Sequence, residues 1–86
     1  MALEAPAGAV TFTVSAARCP QILCRLLGFF AQQDRLVDHA QAITTPRRLR
    51  VTITISNIDD HRAAIIAEKM RQLVSVHTVS WRAGRH

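Results

Sequence analysis

Two stretches of the chain alternate between apolar and polar residues, 10–16 and Leu49–Ile55. A period of two places every second side chain on one side of an extended backbone, so both stretches are predicted to be half-buried strands. Residues 35–45 alternate poorly, which is typical of a strand at a sheet edge, and residues 74–81 form the last predicted strand. The pattern of the last strand is compatible with either of two inner faces: Val74, Val76 and Thr78, or His77, Val79 and Trp81.

Two other stretches have apolar residues at helical spacing. In the first, Pro20 can occupy the first helical position, and an apolar stripe with a period of 3.6 residues follows. This stripe comprises Ile22, Leu23, Leu26, Leu27 and Phe30. The second helix is predicted after Asn57, Asp59 and Asp60, which can cap a helix and suit its positive end. Its inner stripe comprises Ala63, Ile66, Ala67, Met70, Leu73 and Val74.

The order of these elements predicts an α+β fold. Two helices with one apolar stripe each can cover one face of a four-stranded antiparallel sheet, which gives a ferredoxin-like βαββαβ two-layer sandwich. The first and third strands have the cleanest patterns and are expected in the middle. The other face of the sheet would then display Thr11, Thr13, Ser15, Thr52 and Thr54. The expected domain covers residues 9–82, between a flexible N-terminal tail, 1–8, and a C-terminal tail, 83–86.

The formal charge of +5 is carried almost wholly by arginine, since Lys69 is the only lysine. A basic balance permits binding to nucleic acid or to an acidic partner. The arginines are scattered except in residues 46–50, so that cluster is either a solvated turn or a binding patch. No apolar run reaches the roughly 20 residues of a membrane span, and Glu4 stands where a signal peptide has cations. We therefore expect a cytoplasmic protein.

The sequence lacks the patterns of a catalytic or metal site. Cys19 and Cys24 have C-x4-C spacing, unlike the C-x2-C of zinc and redox motifs, and are expected to be reduced thiols. The four histidines are dispersed, and no nucleophile elbow or phosphate-binding glycine loop is present. RNA-recognition domains share the βαββαβ order but need aromatic side chains on the open face of the middle strands. This sheet offers threonines there and directs Phe12 to the core, so nucleic-acid binding is disfavoured.

Residues 25–33, Arg-Leu-Leu-Gly-Phe-Phe-Ala-Gln-Gln, resemble the first helix of the small, regulatory subunits of acetolactate synthase. Those subunits carry an ACT domain, so the resemblance implies an ACT-like fold of the single-domain type and no active site of its own. The implied partner is the large catalytic subunit, to which thiamine diphosphate, Mg and FAD would belong. A homodimer through the irregular second strand is also expected. Gly28, in this helix, could simply allow close contact between helix and sheet.

In these regulatory subunits, the loop after the first strand and the second strand of a neighbouring protomer enclose an amino acid. The resemblance places that site at the following residues: Arg18, Cys19, Pro20, Gln21, Ile22, Leu36 and Val37. Arg18 and Leu36 stand where the family has Asn, and Gln21 stands where it has Gly and would intrude. We therefore expect activation of the catalytic subunit with weak or absent valine binding. Two alternatives remain open: a free-standing amino-acid-binding module that regulates another protein, and a nucleic-acid-binding domain that uses Arg47 to Arg50.

Overall fold

The structure is a computed structural model that describes residues 8–33 and 35–84. The elements in chain order are β1 (Ala9–Ala16), α1 (Ile22–Gln32), β2 (His39–Thr44), β3 (Leu49–Ile55), α2 (Asp60–Arg71) and β4 (Val76–Gly84). The strands form one antiparallel sheet in the order β2-β3-β1-β4. The predicted βαββαβ sandwich is confirmed, with β1 and β3 in the middle of the sheet.

The core lies between the sheet and the two helices. Phe12 of β1 is opposite Ile53 of β3, Val14 is opposite Val51, and all four side chains are fully buried. The helices contribute Ile22, Leu26, Phe30, Ala63, Ile66, Ala67 and Met70 to the same cluster. Alternation with a period of two therefore places the expected side chains of both middle strands inside, and β3 has the predicted bounds.

Helix α1 begins at Ile22, so the prediction that Pro20 occupies the first helical position is wrong. The N-cap residue Gln21 makes no side-chain capping hydrogen bond. Full burial of the side chains of Ile22, Leu26 and Phe30 is worth roughly 1.5–3 kcal/mol each, which outweighs a missing cap of about 1 kcal/mol. Tertiary packing therefore determines where this helix lies.

Helix α2 has a side-chain cap, as predicted. The Asp59 carboxylate accepts a hydrogen bond of 2.7 Å from the main-chain N–H of Arg62. The inner stripe is confirmed at its four buried residues, but Val74 is 73% exposed, so its predicted burial is wrong. The helix ends at Arg71, and Ser75 has a φ of 76°, which turns the chain away from the helical path before β4.

Strand β2 is shorter than predicted and is exposed along its whole length. It begins at His39 rather than at residue 35, because residues 35–38 form a connection in which Arg35 N–H donates to Phe30 O at 3.0 Å. Leu36 is 87% exposed in this connection and is not part of the strand. The prediction of an edge strand is confirmed.

Strand β4 combines parts of both predicted inner faces. Val79 lies opposite Val14 and Trp81 opposite Phe12, but a register shift between Ser15 and Ala16 places Val76 opposite Ala16. The inner side chains are therefore Val76, Val79 and Trp81, while His77 and Thr78 are exposed. The strand continues to Gly84, three residues beyond its predicted end.

Most of the two predicted tails, at residues 1–7 and 85–86, lies outside the described residues. Within the described residues, neither helix is long and apolar enough to span a membrane.

Candidate functional site

A cavity of about 350 Å³ lies between the β1–α1 loop and the neighbouring edge of the sheet. Its walls come from four elements: the loop, the first turn of α1, β2 and the start of β3. The lining residues are Arg18, Cys19, Pro20, Leu23, Ala42, Thr44 and Leu49. Three of the seven residues proposed from the sequence therefore line one cavity, and they belong to the loop.

A short chain of backbone hydrogen bonds holds this loop. Ala17 N–H donates to Ser75 O at 2.8 Å, Cys19 N–H donates to Ala17 O at 2.8 Å, and Ile22 N–H donates to Cys19 O at 3.1 Å. The Arg18 guanidinium donates to the carbonyl of Pro46 at 3.2 Å. The loop is therefore connected both to the turn before β4 and to the hairpin between β2 and β3.

The other four predicted site residues lie elsewhere in the single chain. The Gln21 side chain accepts a hydrogen bond from Arg25 Nη2 at 3.3 Å and does not line the cavity, so its predicted intrusion is not observed. Ile22 is buried in the core. Leu36 and Val37 precede His39, at the far end of β2 from Thr44, so the length of the strand, about 20 Å, separates them from the loop.

Sequence reasoning missed four lining residues: Leu23, Ala42, Thr44 and Leu49. The hairpin turn could have revealed three of them, because it fixes the register of β2 on β3. Thr45 Oγ1 accepts from Arg48 N–H at 3.0 Å, and this turn places Thr44 opposite Leu49 and Ala42 opposite Val51. Ala42 and Thr44 therefore face the helix side of the sheet, where β2 remains exposed.

The site has a positive electrostatic character. Of the residues that the structure describes, Arg18 is the only charged one that lines the cavity, and the first turn of α1 contains no acidic residue. Backbone N–H groups at a helix start carry partial positive charge and favour an anion. A carboxylate is therefore the chemical group that this end of the cavity suits, while Pro20, Leu23, Ala42 and Leu49 offer apolar contact.

The described residues show no assembled metal site: no three His, Cys, Asp or Glu side chains among them come together. Both cysteines are free thiols, with Cys19 half-buried and Cys24 exposed. The sheet face away from the helices carries the predicted hydroxyls, and Thr11 Oγ1 lies 3.1 Å from Thr54 Oγ1. Phe12 is fully buried on the opposite side. The middle strands therefore offer no aromatic surface for base stacking.

A family model described as an ACT-like domain matches residues 5–86. The chain belongs to the ACT-like domain family. This match covers nearly the whole sequence and agrees with the observed strand order and helix placement. ACT domains are typically small-molecule-binding regulatory modules. A search of curated protein sequences found no match.

Solved structures share the fold of this ACT-like domain at low sequence identity. The ACT domain from the GTP pyrophosphokinase of Chlorobium tepidum has a TM-score of 0.73 at 11% identity, over 86% of this chain and 96% of that one. The C-terminal domain of the MgtC protein from Mycobacterium tuberculosis has a TM-score of 0.70 at 11% identity, over 91% and 88%. The regulatory subunit of aspartate kinase from Thermus thermophilus has a TM-score of 0.70 at 14% identity, over 90% and 52%.

Proposed function

We propose that this ACT-like domain is a cytoplasmic, non-catalytic regulatory subunit that binds and activates the catalytic subunit of acetolactate synthase in branched-chain amino-acid biosynthesis. The observation that carries the proposal is the resemblance of residues 25–33 to the first helix of such regulatory subunits. Membership of the ACT-like family supports it. The chain would stabilise the active form of the catalytic subunit by binding it more tightly than the inactive form.

We further propose that two copies pair through β2. The two edges of the sheet differ, because Arg71 Nη2 donates to the main-chain oxygen of Val79 in β4 at 2.9 Å. Among the described residues, no side chain hydrogen-bonds the backbone of His39–Thr44. An edge strand with available N–H and C=O groups can pair with another chain.

The outer side of α1 supports the same assembly. Its exposed positions are Cys24, Arg25, Leu27, Gly28, Ala31 and Gln32, of which only Arg25 is charged. Leu27, predicted in the buried stripe, is 36% exposed, so that part of the prediction is wrong. A Cβ at Gly28 would meet nothing within 4 Å, so the interpretation that Gly28 allows close contact with the sheet is wrong. The small and apolar residues Cys24, Leu27, Gly28 and Ala31 give this outer side a patch that a second copy could cover. We propose that the outer side packs against the second copy, beside β2.

This pairing would complete the proposed effector site. In an antiparallel pair of β2 strands, the start of one strand lies beside the end of the other. Leu36 and Val37 of the partner subunit would then approach Arg18 and the β1–α1 loop. The loop has Arg18 rather than the family's Asn, and the partner's Leu36 supplies no polar atom from its side chain. We therefore propose that valine binds weakly or not at all.

Co-expression tests the proposed activity directly. The chain would be expressed with the acetolactate synthase catalytic subunit of its own organism, and acetolactate formation would be measured with and without it. Co-purification together with increased activity would support the proposal. The control is Phe12→Asp, which places a carboxylate in the fully buried core and should abolish both effects. Absence of association by the unmodified chain would overturn the proposal.

The cavity itself favours a second candidate, a free-standing module that binds an amino acid and regulates another protein. Arg18 and the apolar walls are present in the single chain, without a catalytic partner. Calorimetric titration with the amino acids would distinguish the two candidates. Binding of one amino acid, together with no association with the catalytic subunit, would favour this second function.

A further inference from the structure

The sheet face opposite the helices, here called the open face, combines hydroxyl groups with arginines. Its middle strands present Thr11, Thr13, Ser15, Thr52 and Thr54, all half-buried. Arg50 of β3 lies opposite Ser15, and Arg82 of β4 lies opposite Thr11, so both arginines belong to this face. Both are exposed. A depression of about 420 Å³ lies beside Arg82 and is lined by Thr11, Thr13, Thr52, Ser80, Trp81 and Arg82 itself.

The sheet order separates the two arginines along a diagonal. Thr11 and Ser15 are four residues apart on β1, which is about 13 Å, and two strand spacings add about 10 Å across the sheet. The diagonal is therefore about 16 Å. Arg48 extends the basic surface, because its Nη1 donates to Ser15 Oγ at 3.3 Å.

No acidic residue of the described ranges 8–33 and 35–84 belongs to the open face. Among the described residues, the carboxylates are Asp38, before β2, and Asp59, Asp60 and Glu68, at or in α2. The one ion pair in the described part of the chain joins Arg71 to Glu68 within α2. The positive charge of Arg50 and Arg82 is therefore not compensated by a described carboxylate and is available to an anionic surface.

The open face does not suit a second copy of this chain. Two such faces would place arginines against arginines with no carboxylate on either side, and like charges at an interface are unfavourable. Single-stranded nucleic acid is also disfavoured, because its bases need aromatic side chains for stacking. Trp81 lines the depression, but it packs against the core opposite Phe12 and is half-buried, so it offers one partly covered ring rather than a row of stacking surfaces.

We propose that the open face is the docking surface for a protein partner whose contact surface carries Asp and Glu side chains, and that this partner is the catalytic subunit. The inference rests on the proposed function and identifies the surface by which it would act. Short hydroxyl side chains can form hydrogen bonds across an interface with little loss of conformational entropy. Charge complementarity then sets the orientation of the two proteins and speeds their association.

The size of the face agrees with a dimeric regulatory subunit. Four strands over about seven residues span roughly 400 Å², about half of the roughly 800 Å² that each partner contributes to a standard interface. Pairing of two copies through β2 would join two open faces into one continuous surface. That surface would carry Arg50 and Arg82 of each copy, with Arg48 of each copy extending it.

Charge reversal tests the docking surface. Affinity for the acetolactate synthase catalytic subunit of the same organism would be measured at low and high salt, for the unmodified chain and for Arg50→Glu with Arg82→Glu. The matched control is Arg62→Glu with Lys69→Glu, the same change in charge at two exposed positions of α2. We expect the open-face variant to lose affinity by about tenfold or more at low salt, and the control by less than about twofold.

The outcomes distinguish a failure of the docking surface from a failure of the proposed function. If the unmodified chain binds but the open-face variant binds equally well, or the control loses as much, the docking surface is wrong while the proposed function stands. If the unmodified chain does not bind the catalytic subunit, both are wrong. Binding to single-stranded RNA would be measured for the same variants. If the open-face variant loses RNA binding but keeps its affinity for the catalytic subunit, the open face binds nucleic acid rather than the catalytic subunit. Should charge reversal impair folding, as judged by circular dichroism, Arg50→Gln with Arg82→Gln serves as the second variant.

Discussion

The Arg71 guanidinium of α2 donates a hydrogen bond of 2.9 Å to the main-chain oxygen of Val79 in β4, and a second of 2.7 Å to Glu68. The first bond joins the end of the second helix to the outer strand of the sheet. It also satisfies an acceptor on a strand that lies at the sheet edge. Because β2 has no comparable side-chain contact among the described residues, we propose β2 rather than β4 as the edge that pairs with another chain.

Replacing Arg71 with Ala should reduce the free energy of unfolding by about 1 kcal/mol. A hydrogen bond from a charged donor is worth about 1.5–3 kcal/mol, and the 43% exposure of the Arg71 side chain reduces that value. Urea denaturation measures the change. Arg62→Ala is the control, since that side chain is exposed and makes no described hydrogen bond, and it should change stability by less than about 0.5 kcal/mol. Equal losses in both variants would contradict the role of Arg71.

Replacing Gly28 with Ala should stabilise the isolated chain by about 0.5–1 kcal/mol. The new methyl group would meet nothing within 4 Å, and Ala is the better residue in a helix interior. Urea denaturation at low protein concentration measures this gain. If a second copy packs closely at Gly28, the same variant should dimerise less tightly in analytical ultracentrifugation. A loss of stability in the monomer would contradict the structure of α1.

Replacing Ala42 with Arg should dissociate the proposed dimer. Ala42 is exposed on the edge strand β2 and lines the cavity on the helix side of the sheet, so a long charged side chain there would obstruct a second copy beside β2 and would also enter the cavity. Ala83→Arg places the same change on the opposite edge strand, at a position that is also exposed, and should leave dimerisation unchanged. Sedimentation velocity over a range of concentrations measures both. Dissociation by Ala83→Arg alone would assign the interface to β4.

Valine should bind the unmodified chain with a Kd of about 1 mM or weaker, measured by calorimetry. The combined variant Arg18→Asn, Gln21→Gly and Leu36→Asn restores the residue types that the family has at these positions and should bind valine at least about tenfold more tightly. Arg18→Asn alone controls for the loss of charge. Micromolar binding by the unmodified chain would contradict the prediction.

Much of the fold could be predicted because its signals are local. The alternation in β1 and β3 and the stripes of both helices depend on which side chains share a face, and that follows from backbone geometry alone. The hydroxyl face of the middle strands followed for the same reason, since Thr11 and Thr54 alternate with buried neighbours. Residues Arg18 to Pro20, predicted as an effector loop because they follow a strand and precede a helix, line the cavity, and their binding role stays a prediction.

Other features depend on contacts between distant segments. The register shift that turns Val76 inward arises where β4 pairs with Ser15 and Ala16, and the positive φ of Ser75 leaves Val74 exposed. Neither the register shift nor the exposure of Val74 can be predicted from the periodicity of residues 74–81. The bounds of β2 are similar, because the connection at residues 35–38 is bonded at its start to α1, through Arg35 N–H and Phe30 O, and at its end to β3, through Asp38 N–H and Thr54 O.

The amino-acid sequence by itself determined the element order, the core side chains and the polar character of the open face, because helix and strand periods are properties of neighbouring residues. Only the tertiary structure decided which groups meet. It brought β2 and the loop together around one cavity, and it placed Arg50 and Arg82 on one face from segments more than thirty residues apart. Contacts between segments distant in sequence are set by strand order and register, and both depend on the packing of the whole chain.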